Sequence, residues 1–128
     1  MNMKRITSII VLSAALIPFS IPASAHHSTA EYDMAASTSV KGTVTKFEWT
    51  NPHAYIYIQV KDDNGNTVEW AGELGSPGML ARVNWKRDTI KPGDEITIYG
   101  NPAKDGRKVL RLAKITFANG QELSAVVR

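Results

Sequence analysis

Two stretches of alternating apolar and polar residues, joined by an Asn-Pro dipeptide, constrain the fold more than any other feature of the sequence. Apolar or small residues occupy every second position over 40–44 and again over 54–60. This period of two predicts strands with one buried and one exposed face. Helical backbone angles are disfavoured at Asn51 because a proline follows it. Pro52 has no N–H to donate to a neighbouring strand. The segment Phe47–Tyr55 is therefore predicted to form a corner between two strands.

Turn signals divide the remainder of the chain into further strands and one helix. Asn64-Gly65 is typical of a two-residue hairpin turn, and Ser76-Pro77 is typical of a helix N-terminus. The expected strands are 39–49, 54–61, 67–71, 95–99 and 108–117, with a short last strand over 122–126, and the expected helix is 77–84.

Three strands, a short helix and two more strands follow the order of an OB-fold. We therefore predict an all-β protein with a small helix: a five-stranded OB-like Greek-key barrel with one short helix between strands three and four. Another small antiparallel barrel or an open sandwich is the alternative.

The first 25 residues carry the pattern of a secretory signal peptide. Two basic residues precede an apolar run over 6–21, and Ala23-Ser24-Ala25 matches an A-x-A cleavage site. The alternative is an uncleaved transmembrane helix, but the run is short and Pro18 interrupts it. Residues 1–25 are therefore expected to be removed, leaving a periplasmic or secreted protein with no stable membrane insertion.

Cleavage after Ala25 leaves 103 of the 128 residues, enough for one domain with a single core. Residues 26–38 have no clear period and are expected to form a flexible N-terminal arm, followed by the OB-like β-barrel domain over 39–128. The predicted mature chain has 13 basic and 12 acidic residues, against 15 and 12 in the full sequence, because Lys4 and Arg5 are removed. A near-neutral exported domain gives no electrostatic footprint for nucleic acid. The absence of cysteine excludes disulfides, thiolate metal sites and a cysteine nucleophile.

The histidines of the predicted mature chain are candidates for a metal site. Cleavage makes His26 the first residue, so its α-amine and a ring nitrogen could chelate one ion. His53, in the strand corner, could supply a second imidazole, and His27 is a further candidate. Imidazole nitrogens in tetragonal geometry suit copper, so the expected cofactor is copper or another divalent metal. The alternative is a solvated arm and a turn histidine that caps backbone groups.

Aromatic and polar side chains also gather on the first strands, on the face that OB-folds use for ligands. The candidate ligand-binding residues are Glu48, Trp49, Asn51, Tyr55 and Tyr57. Stacking and cation–π contacts on such a face suit a sugar, a peptide or a cationic ligand. The alternative is structural, with tyrosines pairing across strands and tryptophans filling the barrel ends.

Catalysis by side chains has no local motif in this sequence. Glu48 and Glu69 could act as paired carboxylates, but no local motif supports this. Ser76 could be a nucleophile beside His53, but it lacks the surroundings of a nucleophile elbow and is explained as a helix cap. We therefore expect a non-enzymatic exported binding module for copper or another divalent metal. The alternative is a peptide, glycan or protein-interaction module, whose partner is an unknown small ligand or periplasmic protein.

Several short runs together resemble a family of small exported bacterial proteins. They are Ala25-His26-His27-Ser28, Lys41-Gly42-Thr43-Val44, Glu48-Trp49-Thr50-Asn51-Pro52-His53, Gly75-Ser76-Pro77, Lys91-Pro92-Gly93-Asp94 and Asn101-Pro102-Ala103-Lys104-Asp105-Gly106. The family is catalogued as domain of unknown function 6152, and the resemblance covers nearly the whole predicted mature chain. It implies an exported all-β domain, without implying a catalytic residue or a substrate.

Overall fold

The structure, a computed structural model, describes residues 29–126 of the chain. In that range the chain forms one 3-10 turn, six strands and one α-helix. Their bounds are Thr29–Glu31 for the 3-10 turn, then β1 Thr38–Glu48, β2 Tyr55–Lys61, β3 Thr67–Glu73, α1 Pro77–Ala81, β4 Glu95–Pro102, β5 Val109–Phe117 and β6 Glu122–Ser124. The predicted signal peptide, 1–25, lies outside the described residues. Over 29–126, no helix has the length and apolar character required to cross a membrane.

Five of the strands close into a barrel. Strand β2 lies between β1 and β3, and β4 lies between β1 and β5, all in antiparallel pairs. A parallel pairing of β3 with β5 completes the ring, so the order around it is β1-β2-β3-β5-β4. The short strand β6 pairs with β5 beyond this ring. The predicted five-stranded OB-like barrel with one short helix is confirmed.

A bulge in β1 lets this strand pair with both halves of the barrel. Its first half pairs with β4 and its second half with β2. The register shifts between Val44 and Lys46, where the sequence breaks its strict alternation. At Gly42 a Cβ atom would lie 2.5 Å from the Gln59 carbonyl oxygen, so a side chain here would force the two strands apart.

Alternate residues of the strands fill the barrel. The largest fully buried side chains are Trp85, Ile56, Ile58, Leu80, Ile96, Ile98, Leu110, Ile115 and Val44. In β2 both isoleucines are 0% exposed, whereas Tyr55 and Tyr57 are half-buried and lie on the outer face, as the period of two predicts. Trp85 packs in the core, and its Nε1–H donates to the Ser124 carbonyl oxygen at 2.7 Å.

Helix α1 begins where the sequence predicts and ends three residues earlier. The Ser76 hydroxyl accepts a hydrogen bond from the Met79 N–H at 3.3 Å, which confirms the N-cap. Asn84 takes a left-handed conformation with φ 70°, and the Trp85 N–H turns back to the Leu80 carbonyl oxygen at 3.1 Å. This 6→1 bond ends the helix in a Schellman-type turn.

The segment before β1 packs on the barrel, which differs from the flexible arm predicted for 26–38. Tyr32 is 3% exposed and forms an antiparallel bridge with Ala103. Two backbone hydrogen bonds of 2.9 Å join the segment to the end of β4 and the loop that follows. Burial of one large aromatic ring outweighs the weak local pattern of this segment. Residues 26–28 of the predicted arm lie outside the described range.

Strands β3 and β4 extend further than the sequence indicates. The sequence predicts ends at 71 and 99, whereas β3 continues to Glu73 and β4 to Pro102. Both extensions pair with β5. Local turn signals do not reveal this pairing, because it joins segments far apart in the chain.

Truncation of β2 side chains distinguishes the two faces of this strand. Ile58→Ala should lower the free energy of unfolding by about 2–5 kcal/mol, because it removes a fully buried aliphatic side chain. Ile56→Ala should have a similar effect, and Tyr57→Ala should cost less because its ring lies on the outer face. Denaturant midpoints and slopes measure these differences. A larger loss for Tyr57→Ala than for either isoleucine would contradict the described register.

Candidate functional site

The β2–β3 hairpin sets the geometry of the candidate site. Its register places Tyr55 opposite Glu73 and Tyr57 opposite Ala71 on the outer face of the sheet. Directly opposed residues of antiparallel strands have Cβ atoms about 4.5–5.5 Å apart, so their side chains interact. A carboxylate and two phenol rings therefore meet at the end of β3, close to the corner that contains His53.

Glu73 is a buried carboxylate that joins three parts of the chain. It is 6% exposed, and its Oε2 accepts a hydrogen bond from the Tyr32 hydroxyl. Its Oε1 lies 3.3 Å from His53 Nδ1 and accepts no hydrogen bond of normal geometry within residues 29–126. Burial of a carboxylate is unfavourable unless polar groups surround it. Glu73 therefore connects the N-terminal segment to the strand corner.

The His53 ring is oriented through its Nδ1 atom. This atom lies 2.9 Å from the Leu74 carbonyl oxygen, which can only accept, so Nδ1 carries the hydrogen. The Glu73 carboxylate lies on the same nitrogen at 3.3 Å. In the neutral ring, the lone pair is consequently on Nε2. The side chain is 21% exposed, so the ring is partly accessible at the corner.

Burial raises the pKa of two tyrosine hydroxyls near Glu73. For Tyr32 burial is the largest cause, the hydrogen bond to Glu73 is the second, and the pKa lies well above its ordinary value. Burial, followed by the charge of Glu73, raises the pKa of Tyr55 to about 12. Both hydroxyls are therefore neutral at physiological pH, and Tyr32 can donate its hydrogen to the carboxylate.

Tyr57 continues the aromatic surface toward β1. The rings of Tyr55 and Tyr57 are nearly parallel, with centroids 6.3 Å apart and planes inclined by 26°. The Tyr57 hydroxyl donates to Glu48 at 3.3 Å, and Lys46 Nζ lies 5.7 Å from the Tyr57 ring centroid. Lys46 also pairs with Glu48, and this hydrogen bond lowers the pKa of the Glu48 carboxyl. The aromatic face thus has charged groups at its edge.

An open pocket of about 420 Å³ lies beside these tyrosines. The outer face of β2 and β3, the N-terminal segment and the start of β5 surround it. Its polar lining includes Glu31, Tyr32, Tyr55, Glu73, Arg107 and Lys108. The volume falls within the range of about 300–1,000 Å³ found for small-molecule sites.

The predicted ligand-binding residues separate into two groups. Three of them lie together on the outer face: Glu48, Tyr55 and Tyr57. Trp49 instead packs against the core, edge-on to Phe47 with ring centroids 5.7 Å apart, as the structural alternative predicts. Asn51 is exposed at the corner, where its peptide bond to Pro52 is cis. The structure therefore brings neither Trp49 nor Asn51 onto the tyrosine face.

The predicted metal ligands are described only in part. His53 lies at the corner, whereas His26 and His27 lie outside the described residues. Over 29–126, no group of three or more His, Cys, Asp or Glu side chains is arranged to hold a metal ion.

Sequence reasoning left Tyr32, Glu73 and Arg107 out of the candidate site. For Glu73 the predicted two-residue turn misleads, because equal steps away from Asn64-Gly65 pair Tyr55 with Leu74. The loop is one residue longer, with the Asp62 N–H bonded to the Asn66 carbonyl oxygen, and this register pairs Tyr55 with Glu73. No local signal existed for Tyr32 and Arg107. They reach the site from segments outside the hairpin, and the paths of those segments depend on closure of the barrel.

Fold and site together define a small OB-type β-barrel with a tyrosine-lined pocket and a buried carboxylate at its edge. The chain belongs to a family of unknown function, DUF6152, whose family model matches residues 14–111. The resemblance seen in the short sequence runs is thereby confirmed. A search of curated proteins finds no match to the chain.

The raised tyrosine pKa values predict a loss of stability at alkaline pH. The pKa of Tyr55 rises from its ordinary 10.0 to about 12 in the folded protein. Its neutral hydroxyl therefore stabilises the fold fully below the unfolded pKa, and this contribution is lost as the pH rises through the folded pKa. We expect the free energy of unfolding to decrease across that window, less steeply in Tyr55→Phe. Urea denaturation at stepped pH measures the slopes, and equal slopes would contradict the assignment.

Proposed function

We propose that this protein is an exported, non-enzymatic binding module that holds copper, or another divalent metal, between His53 and the mature N-terminus. The ligands would be the α-amine and ring of His26, with one nitrogen of His53 and a secondary contribution from His27. The observation that carries the proposal is the fixed His53 ring beside the anchor point of the N-terminal segment.

Orientation of His53 supports its role as a ligand. Metal-binding histidines almost always donate their second ring N–H to a carboxylate or a backbone carbonyl, which fixes the tautomer. At His53 the acceptor of the Nδ1 hydrogen is the Leu74 carbonyl oxygen at 2.9 Å, and the Glu73 carboxylate lies beside the same nitrogen, with Oε1 at 3.3 Å. The nitrogen that would bind the ion is consequently Nε2.

Anchoring of the N-terminal segment supports the shared site. Tyr32 and His53 approach different oxygens of the same carboxylate, so the root of the segment lies close to the strand corner. His26 precedes Thr29, the first residue of the 3-10 turn, by three residues. An extended chain spans at most about 3.3–3.6 Å per residue, or roughly 10 Å over this length. The shared site requires His53 to lie within that reach of the turn while Tyr32 stays bound to Glu73.

Ligand chemistry favours copper among the divalent metals. Nitrogen ligands in a tetragonal arrangement suit Cu²⁺, and for a given site copper binds more tightly than its neighbours in the first transition row. The chain has no cysteine that could redirect the site toward a thiolate-bound ion. An α-amine and two imidazoles would supply three nitrogen ligands, with positions left for water.

Copper titration of the protein that begins at His26 tests this function, with intact-mass measurement of periplasmic material to verify that start. The decisive comparison is a version with one extra N-terminal residue, which keeps every side chain but moves the amine away from His26. We expect a loss of copper affinity of at least about tenfold for the extended protein and for His53→Ala, because each loses a ligand. His27→Ala, the matched control, should lose less.

Equal copper affinity in the mature, extended and His53→Ala proteins would contradict the proposed site. The alternative, a peptide, glycan or protein-interaction module built on the tyrosine face, would then be favoured. Thermal unfolding of each variant in the absence of copper separates a lost ligand from a damaged fold.

A further inference from the structure

The pocket beside Tyr55 and Tyr57 is a second candidate site, and His53 is not among the residues that line it. One wall is the outer face of β2 and β3, where the small side chain of Ala71 opposes Tyr57 and leaves space above the sheet. The other walls are the N-terminal segment and the residues that lead into β5. The space is therefore bounded by three chain segments that only the folded barrel brings together.

The charges around this pocket balance. Its charged lining consists of two acidic and two basic residues: Glu31, Glu73, Arg107 and Lys108. Arg107 already pairs with Asp105 at 2.6 Å and with Glu31 at 3.4 Å. Lys108 Nζ lies 5.3 Å from the centre of the Trp70 ring. A ligand with a strong net charge of either sign would thus meet a repelling group as well as an attracting one.

The uncharged lining combines flat apolar faces with polar edges. Tyr55 and Tyr57 offer nearly parallel rings, and the hydroxyl groups of tyrosine both donate and accept hydrogen bonds. Arg107 and Lys108 can only donate, whereas Glu31 can only accept when ionised. A matching ligand has C–H groups on one face and many hydroxyls around its rim, each able to donate and accept.

We propose that this pocket binds a neutral saccharide, with one sugar ring packed on the Tyr55 and Tyr57 rings. Its hydroxyls would bond to Arg107, Lys108 and Glu31 at the exposed side of the pocket. A phosphate-bearing ligand is disfavoured by Glu31 and Glu73, and a cation is disfavoured by Arg107 and Lys108. This site is distinct from the proposed copper site in its ligands, although Tyr32 and Glu73 support both.

The test is NMR titration of metal-free protein, in the presence of EDTA, with three neutral trisaccharides: cellotriose, chitotriose and maltotriose. Inorganic phosphate and tetramethylammonium serve as anionic and cationic probes. We expect at least one trisaccharide to shift the amide signals of β2 and β3, with weaker or no effect from the two ions. Because no metal is present, failure of the copper proposal would leave this result unchanged.

A matched pair of tyrosine variants locates the binding. Tyr57→Ala should lower the affinity for the trisaccharide by at least about tenfold, since it removes one of the two rings on which the sugar packs. Tyr57→Phe should retain most of the affinity because it keeps the ring. Tyr99→Ala is the control. Tyr99 is another tyrosine of the sheet, with Lys114 Nζ 5.5 Å from its ring centroid, but it does not line the pocket.

Several outcomes would overturn the saccharide site. These are the absence of shifts with all three trisaccharides, tighter binding of phosphate or tetramethylammonium at the same residues, and equal weakening by Tyr57→Ala and Tyr99→Ala. If Tyr57→Ala fails to fold, Arg107→Gln replaces it, since Arg107 is exposed on the opposite wall. Unchanged trisaccharide affinity in Arg107→Gln would then count against the site.

Discussion

The parallel pairing of β3 with β5 is the constraint on which the rest of the structure depends. It closes the barrel, and it requires the two strands to approach at Gly72, where a Cβ atom would lie 2.8 Å from Leu112 Cδ1. The same pairing brings the residues before β5 beside β3, through a 3.0 Å hydrogen bond from the Ala71 N–H to the Lys108 carbonyl oxygen. One wall of the proposed saccharide pocket is thus a consequence of barrel closure.

Glu73 transmits that constraint to the edge of the barrel. As the last residue of β3, it is held in the closing pair opposite Arg111 and cannot move away from the sheet. Its buried carboxylate receives the Tyr32 hydroxyl and lies against His53. Unsatisfied, this charge would destabilise the fold, so the N-terminal segment becomes part of the barrel. Both proposed sites consequently depend on one side chain.

The aromatic residues of the corner lie on two different sides of the barrel wall. Trp49 turns inward beside Phe47, while Tyr55 and Tyr57 remain on the outer face with polar groups at their rims. Indole and phenol groups both pair an apolar body with a polar tip, so sequence alone does not separate them. Their positions on the strands distinguish them: Trp49 follows the end of β1 at Glu48, whereas Tyr55 and Tyr57 lie within β2.

Local patterns were sufficient for the strands, the helix cap and the order of the barrel, because periodicity, turn residues and caps act over a few neighbouring residues. They placed Ile56 and Ile58 inside and Tyr57 outside, and the break in the alternation after Val44 coincides with the bulge. Tertiary structure alone decided that Tyr32 is buried, that β3 runs to Glu73 and that Arg107 faces the tyrosines. Those outcomes depend on contacts between segments far apart in the chain, whose energies no local pattern records.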